Sequence, residues 1–403
     1  MVRPRGGDPA SMLLFALAAL LAVSDDWPQL LGPHRNGVYT GETVGWPSQF
    51  AWQKDVGSGF AAPVIVGGKV ILFHRKGDRE IVEAFEAATG KTLWTFDSPT
   101  HYRDDFGFDN GPRATPTVAG GRVFTFGAEG VLHALDLETG GMLWRVDVNR
   151  KYDVPKGWFG AGCSPLVHEG KLYLNIGSKK AGVGAFDPAT GQVLWTSSHH
   201  ETSYSSPVAA PYGIVFFTRD GILVTDKDSG KILFEKRWRA RSSASANAAS
   251  PIVDGNLVFI TANYAVGAIV LDFSTNPPKE LWSGDDAISA HYATPVLKDG
   301  VLYGLHGPTQ TGQQLRAVEL RTGNVLWKML ASEHGGSLTL IHDMLMFIRD
   351  DGMIFKIKPN PERVEVLANF KAIDGTVRSF PALGNGLICM RNTKVLACLT
   401  TTK

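Results

Sequence analysis

The stretch "ATGKTLW" at residues 88–94 recurs as "ETGGMLW" at 138–144, "ATGQVLW" at 189–195 and "RTGNVLW" at 321–327. A strand ending in an acid, two residues, Thr-Gly and a second strand bearing Trp reads as a hairpin with Gly in the left-handed position. The acid stands three before the Thr or Ser (Glu86, Asp136, Asp187, Asp226, Glu319), with Asp272 in an irregular copy. A carboxylate there accepts hydrogen bonds from the turn's backbone. One acid per repeat at the same address is poor catalytic design, so these acids are read as structural. Small residues two places earlier (Ala84, Ala134, Ala185, Ala317) leave room for a large neighbour. The Trp is therefore expected to pack between adjacent repeats.

Working outward, the Trp-like positions are Trp52, Trp94, Trp144, Trp195, Phe234, Trp282, Trp327 and a degenerate Leu367, spaced 42, 50, 51, 39, 48, 45 and 40 apart. Each interval opens on a small-residue Pro step, to Pro63, Pro116, Pro165, Pro207, Pro251 and Pro295. Two short apolar strands around a Gly or Asp turn follow, as in "VIVGGKVIL", then a third strand, the Thr-Gly turn and the Trp strand. Four short strands per unit of about forty residues is the pattern of a β-propeller blade. First strands start near Ala62, Thr115, Ser164, Ser206, Ser250, Thr294, Ser337 and Phe380. The last unit lacks a fourth strand, and residues 50–56, "FAWQKDV", form an orphan fourth strand with its own Trp52. The fold expected is all-β: an eight-bladed propeller whose last blade is closed by the N-terminal strand, which removes an exposed edge. The domain plan is a signal peptide over 1–24, an extension over 25–49 packed on the propeller, and the propeller over 50–403.

Composition limits the function classes. The chain carries 40 basic and 39 acidic residues, net charge +1, and no basic run hints at a membrane surface. That gives no electrostatic footprint for nucleic acid or an anionic membrane. Arg3 and Arg5 precede the apolar run 12–23, too short to span a bilayer comfortably, and "AVS" at 22–24 fits cleavage before Asp25. An exported chain, periplasmic or extracellular, is expected. An uncleaved N-terminal anchor and a true start at Met12 stay open, and no Cys is placed there for a lipid anchor. With a two-residue turn at 392–393, Cys389 and Cys398 come out diagonal on a hairpin, so they and Cys163 are read as buried thiols.

The Thr-Gly and Trp repeat resembles the tryptophan-docking motif of quinoprotein-type propellers, which include the pyrroloquinoline quinone (PQQ) dehydrogenases and the outer-membrane assembly factor B propeller. "DWPQLLGPHRNGV" at 26–38, "GSGFAAPVIVGGKV" and "GWFGAGCSPLV" look like those of exported PQQ-like repeat proteins, from Asp26 to the C-terminus. The resemblance implies the fold and leaves function open. The dehydrogenases' adjacent Cys pair has no counterpart, their chains are longer, and their calcium ligands and catalytic Asp find no matching motif. No cofactor is therefore expected. PQQ with calcium is the alternative.

Functional residues concentrate in loops on rigid scaffolds. Aligned on each first-strand Pro, or on Leu338 where the Pro is lacking, the residues three earlier are Phe60, Arg113, Gly162, Tyr204, Ala248, Tyr292, Gly335 and Arg378, and those four earlier include Asn247, His291 and His334. The proposed ligand site at the channel mouth is Phe60, Arg113, Tyr204, Asn247, His291, Tyr292, His334 and Arg378. Arg113 and Arg378 suit an anionic group. The competing reading pairs them with acids of the loop 103–110, "RDDFGFDN". That loop offers calcium the oxygens of Asp104, Asp105 and Asp109 but lacks the spacing and closing Glu of a calcium loop. His291 and His334 are too few for a metal centre. "SHHE" at 198–201 and the basic "KRWRARSSASANAAS" at 236–250 read as solvated loops. No catalytic or metal-binding residue is assigned. The chain is read as a monomeric, non-enzymatic scaffold for another protein, or for a small anion or sugar, with PQQ-dependent oxidation as the rival.

Overall fold

The computed structural model describes residues 25–240, 246–308, 312–330 and 334–402. The signal peptide expected over 1–24 and part of the basic loop fall outside the described residues. Eight antiparallel sheets form the ring. Blades one to seven occupy residues 64–99, 117–147, 166–197, 208–237, 252–284, 296–330 and 336–371. Blade eight joins 382–402 to Trp46–Asp55, in the strand order that closes the ring with the N-terminal strand outermost. This closing strand begins at Trp46, four residues before the Phe50 expected. It pairs antiparallel with Val395–Thr402, setting Trp52 opposite Cys398.

The blade pattern follows from burial. Inner strands are short, as Val64–Val66 and Thr117–Ala119. Second and third strands are buried on both faces and read as apolar runs, for example Leu257–Ala262 and Gly221–Thr225. Outer strands are mostly exposed, and a bulge sits one residue before each Trp. Trp94 pairs with Ala84 but Thr92 with Phe85, leaving Leu93 as the extra residue. The bulge leaves Leu93, Leu143 and Leu194 about half exposed while the neighbouring Trp94 and Trp195 stay 8% exposed.

Each indole reaches the next blade. Its Nε1 donates to a carbonyl at that blade's turn: Trp52 to Ala87 at 2.7 Å, Trp94 to Leu137 at 3.0 Å, Trp144 to Pro188 at 3.1 Å and Trp195 to Lys227 at 3.3 Å. Trp282 donates to Leu320 at 2.8 Å and Trp327 to Asn360 at 2.6 Å. The ring lies over the turn glycine, so Trp94 covers Gly140. The turn acids bind their own turns: Asp136 Oδ1 accepts from Thr139 N and Oγ1, both at 2.8 Å. Phe234 takes the Trp place in blade four and packs edge-on against Phe273 at 5.4 Å.

Two expectations are corrected. In blade seven the register places Ala368 opposite Lys356, with the irregularity before it, so the degenerate Trp position is Ala368 and Leu367 is the bulged residue. Trp46 fills the gap at this junction, 6.3 Å from Phe370 and under Lys356. Cys389 and Cys398 are directly opposite, Cα atoms 4.0 Å apart, and joined by a disulfide. The turn lies one residue later than expected. Asn392 Oδ1 accepts from Lys394 N and Val395 N, both at 2.7 Å, which moves the turn to 393–394 and shifts the register by two. Cys163 is a buried thiol, its pKa pushed up to about 11 by burial.

Residues 27–41 cross the channel. Trp27 and Ile65 of blade one exchange backbone hydrogen bonds, and Val118 N of blade two donates to Pro28. Val38–Tyr39 runs parallel to blade seven's inner strand. Between them Arg35 is 3% exposed and donates to the carbonyls of Ser164 at 3.3 Å and Pro207 at 3.1 Å, to Pro165, and to Gln29 Oε1 at 2.9 Å. Burial among neutral carbonyls lowers its pKa to about 10.

Candidate functional site

The loops entering the inner strands meet at one mouth of the ring, around a cavity of about 260 Å³. Phe60, Arg113, Gly162, Tyr204, Ala248, His291, Tyr292 and Arg378 line it, as their shared loop address suggested. Leu30, from the segment that crosses the channel, is also part of the lining. The extension thus closes the channel beneath the cavity and makes it blind.

Asn247 and His334 are not among the lining residues. Asn247 is 2% exposed and its Nδ2 donates to the Thr218 carbonyl at 2.8 Å. Its own carbonyl takes Tyr204 N and Ser205 N, so it ties two loops together. His334 Nδ1 lies 2.9 Å from Asp350 Oδ1. His291 Nε2 is 2.9 Å from the Tyr264 hydroxyl. The two histidines thus serve separate local contacts.

The two arginines differ. Arg113 Nη2 is 3.3 Å from Asp104 Oδ2 and 3.0 Å from the Asp109 carbonyl, and its guanidinium lies within 5.8 Å of the Phe60, Tyr102 and Phe159 rings. Loop bracing is what Arg113 does. Arg378 is exposed, and among the described residues its recorded contacts are the Phe60 and Phe108 rings at 5.6 and 5.8 Å. Burial, and secondarily the Arg378 charge, holds the His291 pKa down, while burial pushes Tyr292 up to about 12. The Tyr292 hydroxyl and His291 Nδ1 are buried without hydrogen-bond partners among the described residues.

The loop 100–112 is stiff for identifiable reasons. Asp104 accepts from the amides of Phe106, Phe108 and Asp109 at 2.9–3.1 Å. Asp109 accepts from Gly59 N at 3.1 Å and Gly111 N at 2.6 Å. Buried Arg75 donates to the Tyr102 and Asn110 carbonyls at 2.7 and 2.9 Å. Both buried carboxylates are thus committed to amides. A cation needing six to eight oxygens does not fit this donor set. No group of three or more His, Cys, Asp or Glu that would hold a metal occurs among the described residues.

The loop presents aromatic rings that the repeat reading did not select. Phe106 and Phe108 are 48% and 58% exposed. They cluster with Trp158 and Phe159, Phe106 lying 5.5 and 5.3 Å from them. Phe159 packs edge-on against Tyr204 at 5.6 Å, and Tyr204 OH accepts from Phe159 N at 2.8 Å. The available signal was the aromatic content of "DDFGFDN" and "GWFG". His199 and Glu201 are exposed and fit the solvated reading of 198–201, but 236–250 departs from it: among its described residues Ala240, Ala246, Asn247, Ala249 and Ser250 are buried. His200 Nδ1 lies 2.8 Å from Thr218 Oγ1, and Arg239 pairs with Asp220 at 3.1 Å.

Comparison with known proteins places this geometry. The outer membrane protein assembly factor BamB of Yersinia pestis is 25% identical over 260 residues, 61% of this chain and 61% of that protein. The dehydrogenase subunit of the quinone alcohol dehydrogenase of Gluconobacter oxydans is 28% identical over 163 residues, 36% of this chain and 20% of that protein. The match therefore spans about three fifths of one relative and a fifth of the other. The crystal structure of BamB from Moraxella catarrhalis superposes with a TM-score of 0.66 at 14% identity, covering 89% of this chain and 98% of that one, a likeness of fold. A family model described as outer membrane protein assembly factor BamB matches residues 78–329, more than half of the 403 residues, and the chain belongs to that family of PQQ-like propellers.

Proposed function

We propose that this protein is an exported, non-enzymatic propeller that docks another protein on its channel-mouth face. The observation that carries the reading is the aromatic shelf of Phe106 and Phe108 on a loop whose backbone is pinned by Asp104, Asp109 and Arg75. Exposed aromatics held rigid bury area with little loss of conformational freedom and serve as interface anchors. The match to an assembly factor agrees with a scaffold role. Export is supported by the apolar N-terminal run and by a disulfide in the ring, which persists in oxidising compartments. The double variant Phe106→Ala, Phe108→Ala should fold normally and lose about tenfold or more in partner capture from envelope extracts. Unchanged capture rejects this face. Terminal sequencing of the exported chain should begin at Asp25.

The rival reading, PQQ-dependent oxidation, draws on the shorter match to the quinone dehydrogenase subunit. Reconstitution with PQQ and calcium, followed by dye reduction with alcohols and sugars, tests it. Dye bleaching would favour it over the scaffold.

A further inference from the structure

We infer that the mouth cavity takes the C-terminal residue of a partner polypeptide, its apolar side chain inside and its carboxylate on Arg378. The inference rests on the scaffold reading and sharpens it. Three features of the cavity converge on a chain end.

The cavity is blind. Leu30 lies in its lining, and Arg35 ties the same segment to the inner strands of the ring. A chain that enters has no way through, so an occupant ends there. The walls are predominantly apolar, with Phe60, Phe108, Phe159 and Phe380 among them. At about 260 Å³ the space is at the small end of ligand sites and suits one side chain rather than a folded segment.

Charge selects which end. Arg113 has its carboxylate partner in Asp104 at 3.3 Å. Arg378 is exposed at the rim, with ring contacts to Phe60 and Phe108 and no ion pair among the described residues. A guanidinium so placed favours a carboxylate with two parallel hydrogen bonds and repels an amino terminus. The Phe108 ring contacts Arg378 and belongs to the exposed shelf, so residues preceding the chain end would run across the aromatic surface.

The test uses the mature chain and a fluorescent Gly-Ser octapeptide ending in Leu, by fluorescence anisotropy. The free-acid peptide should bind, and its C-terminal amide should bind at least tenfold more weakly. Arg378→Gln should weaken the acid by a similar factor and leave the amide unchanged. Equal affinity for acid and amide, or no acid binding at millimolar peptide, overturns the inference. N-acetyl-leucine should compete poorly. If it competes as well as the peptide, the site takes a free small acid and the polypeptide assignment falls. The two proposals separate in partner capture. Loss of capture in Phe106→Ala, Phe108→Ala with normal capture by Arg378→Gln keeps the scaffold face and removes the chain-end site.

Discussion

Gly140 has φ +70°, and a Cβ there would stand 2.4 Å from Cε3 of Trp94. Gly121 has the same φ with nothing within 4 Å. The pair separates backbone strain from blade docking. Gly121→Ala pays only for the left-handed conformation, about 1 kcal/mol. Gly140→Ala adds displacement of the indole and should cost about 3 kcal/mol in urea unfolding. Equal costs would mean that the indole contact contributes little. A second residue-scale prediction concerns His133, which is 3% exposed, lies edge-on to Phe96 at 5.3 Å, and has its pKa lowered by burial from 6.5 to about 4. Between those values the unfolded chain takes up a proton and the folded one does not, so stability falls as pH drops from about 6.5 to about 4. His74, His291 and His306 act in the same direction, and Glu80, raised to about 7 by burial, in the opposite one. The advantage of His133→Leu over the parent should therefore grow by about 2 kcal/mol over that interval. A difference independent of pH would contradict it.

At the scale of elements, the extension and the last hairpin are the features that sequence periodicity does not describe. Arg35 sits among carbonyls at the start of blades three and four, with no carboxylate partner among the described residues. Arg35→Ala leaves those carbonyls unpaired in the core and should cost about 3 kcal/mol, while the exposed Arg378→Gln should change stability by less than about 0.5 kcal/mol. Comparable losses would mean that the extension does not brace the channel. In the last hairpin, thiol titration in denaturant should find one free thiol without reductant, from Cys163, and three with it. Reduction should cost about 2–3 kcal/mol for a loop of this length. The reason the hairpin was misread is local. The repeat says that a turn falls near Asn392, but only the Asn392 side chain, bonded to the amides of Lys394 and Val395, decides which residues form it. Leu367 was misplaced for a related reason, because a bulge moves a strand by one residue and leaves no trace in composition.

For the whole molecule, counting was enough. Eight first-strand starts, one unit short of a strand and one spare Trp strand lead to the closed ring, because each device recurs with similar chemistry. The mouth was partly legible for the same reason: residues at equal offsets from each inner strand come together, and six of the eight candidates line one cavity. Asn247 and His334 share the offset but turn to Thr218 and Asp350, which no offset predicts. The aromatic shelf, from non-repeating loops, carries the functional proposal and was legible only as composition, while the extension was legible as packed on the propeller but its path across the channel was not. The central claim, that a protein docks on the mouth face, is tested most directly by photo-crosslinking in the cells that make this chain. The photoreactive residue p-benzoylphenylalanine would replace Phe108 at the mouth, or His168 at the other end of blade three's inner strand. The account predicts a discrete protein adduct from position 108 and none from position 168. Adducts from 168 alone, or from neither position, would contradict it.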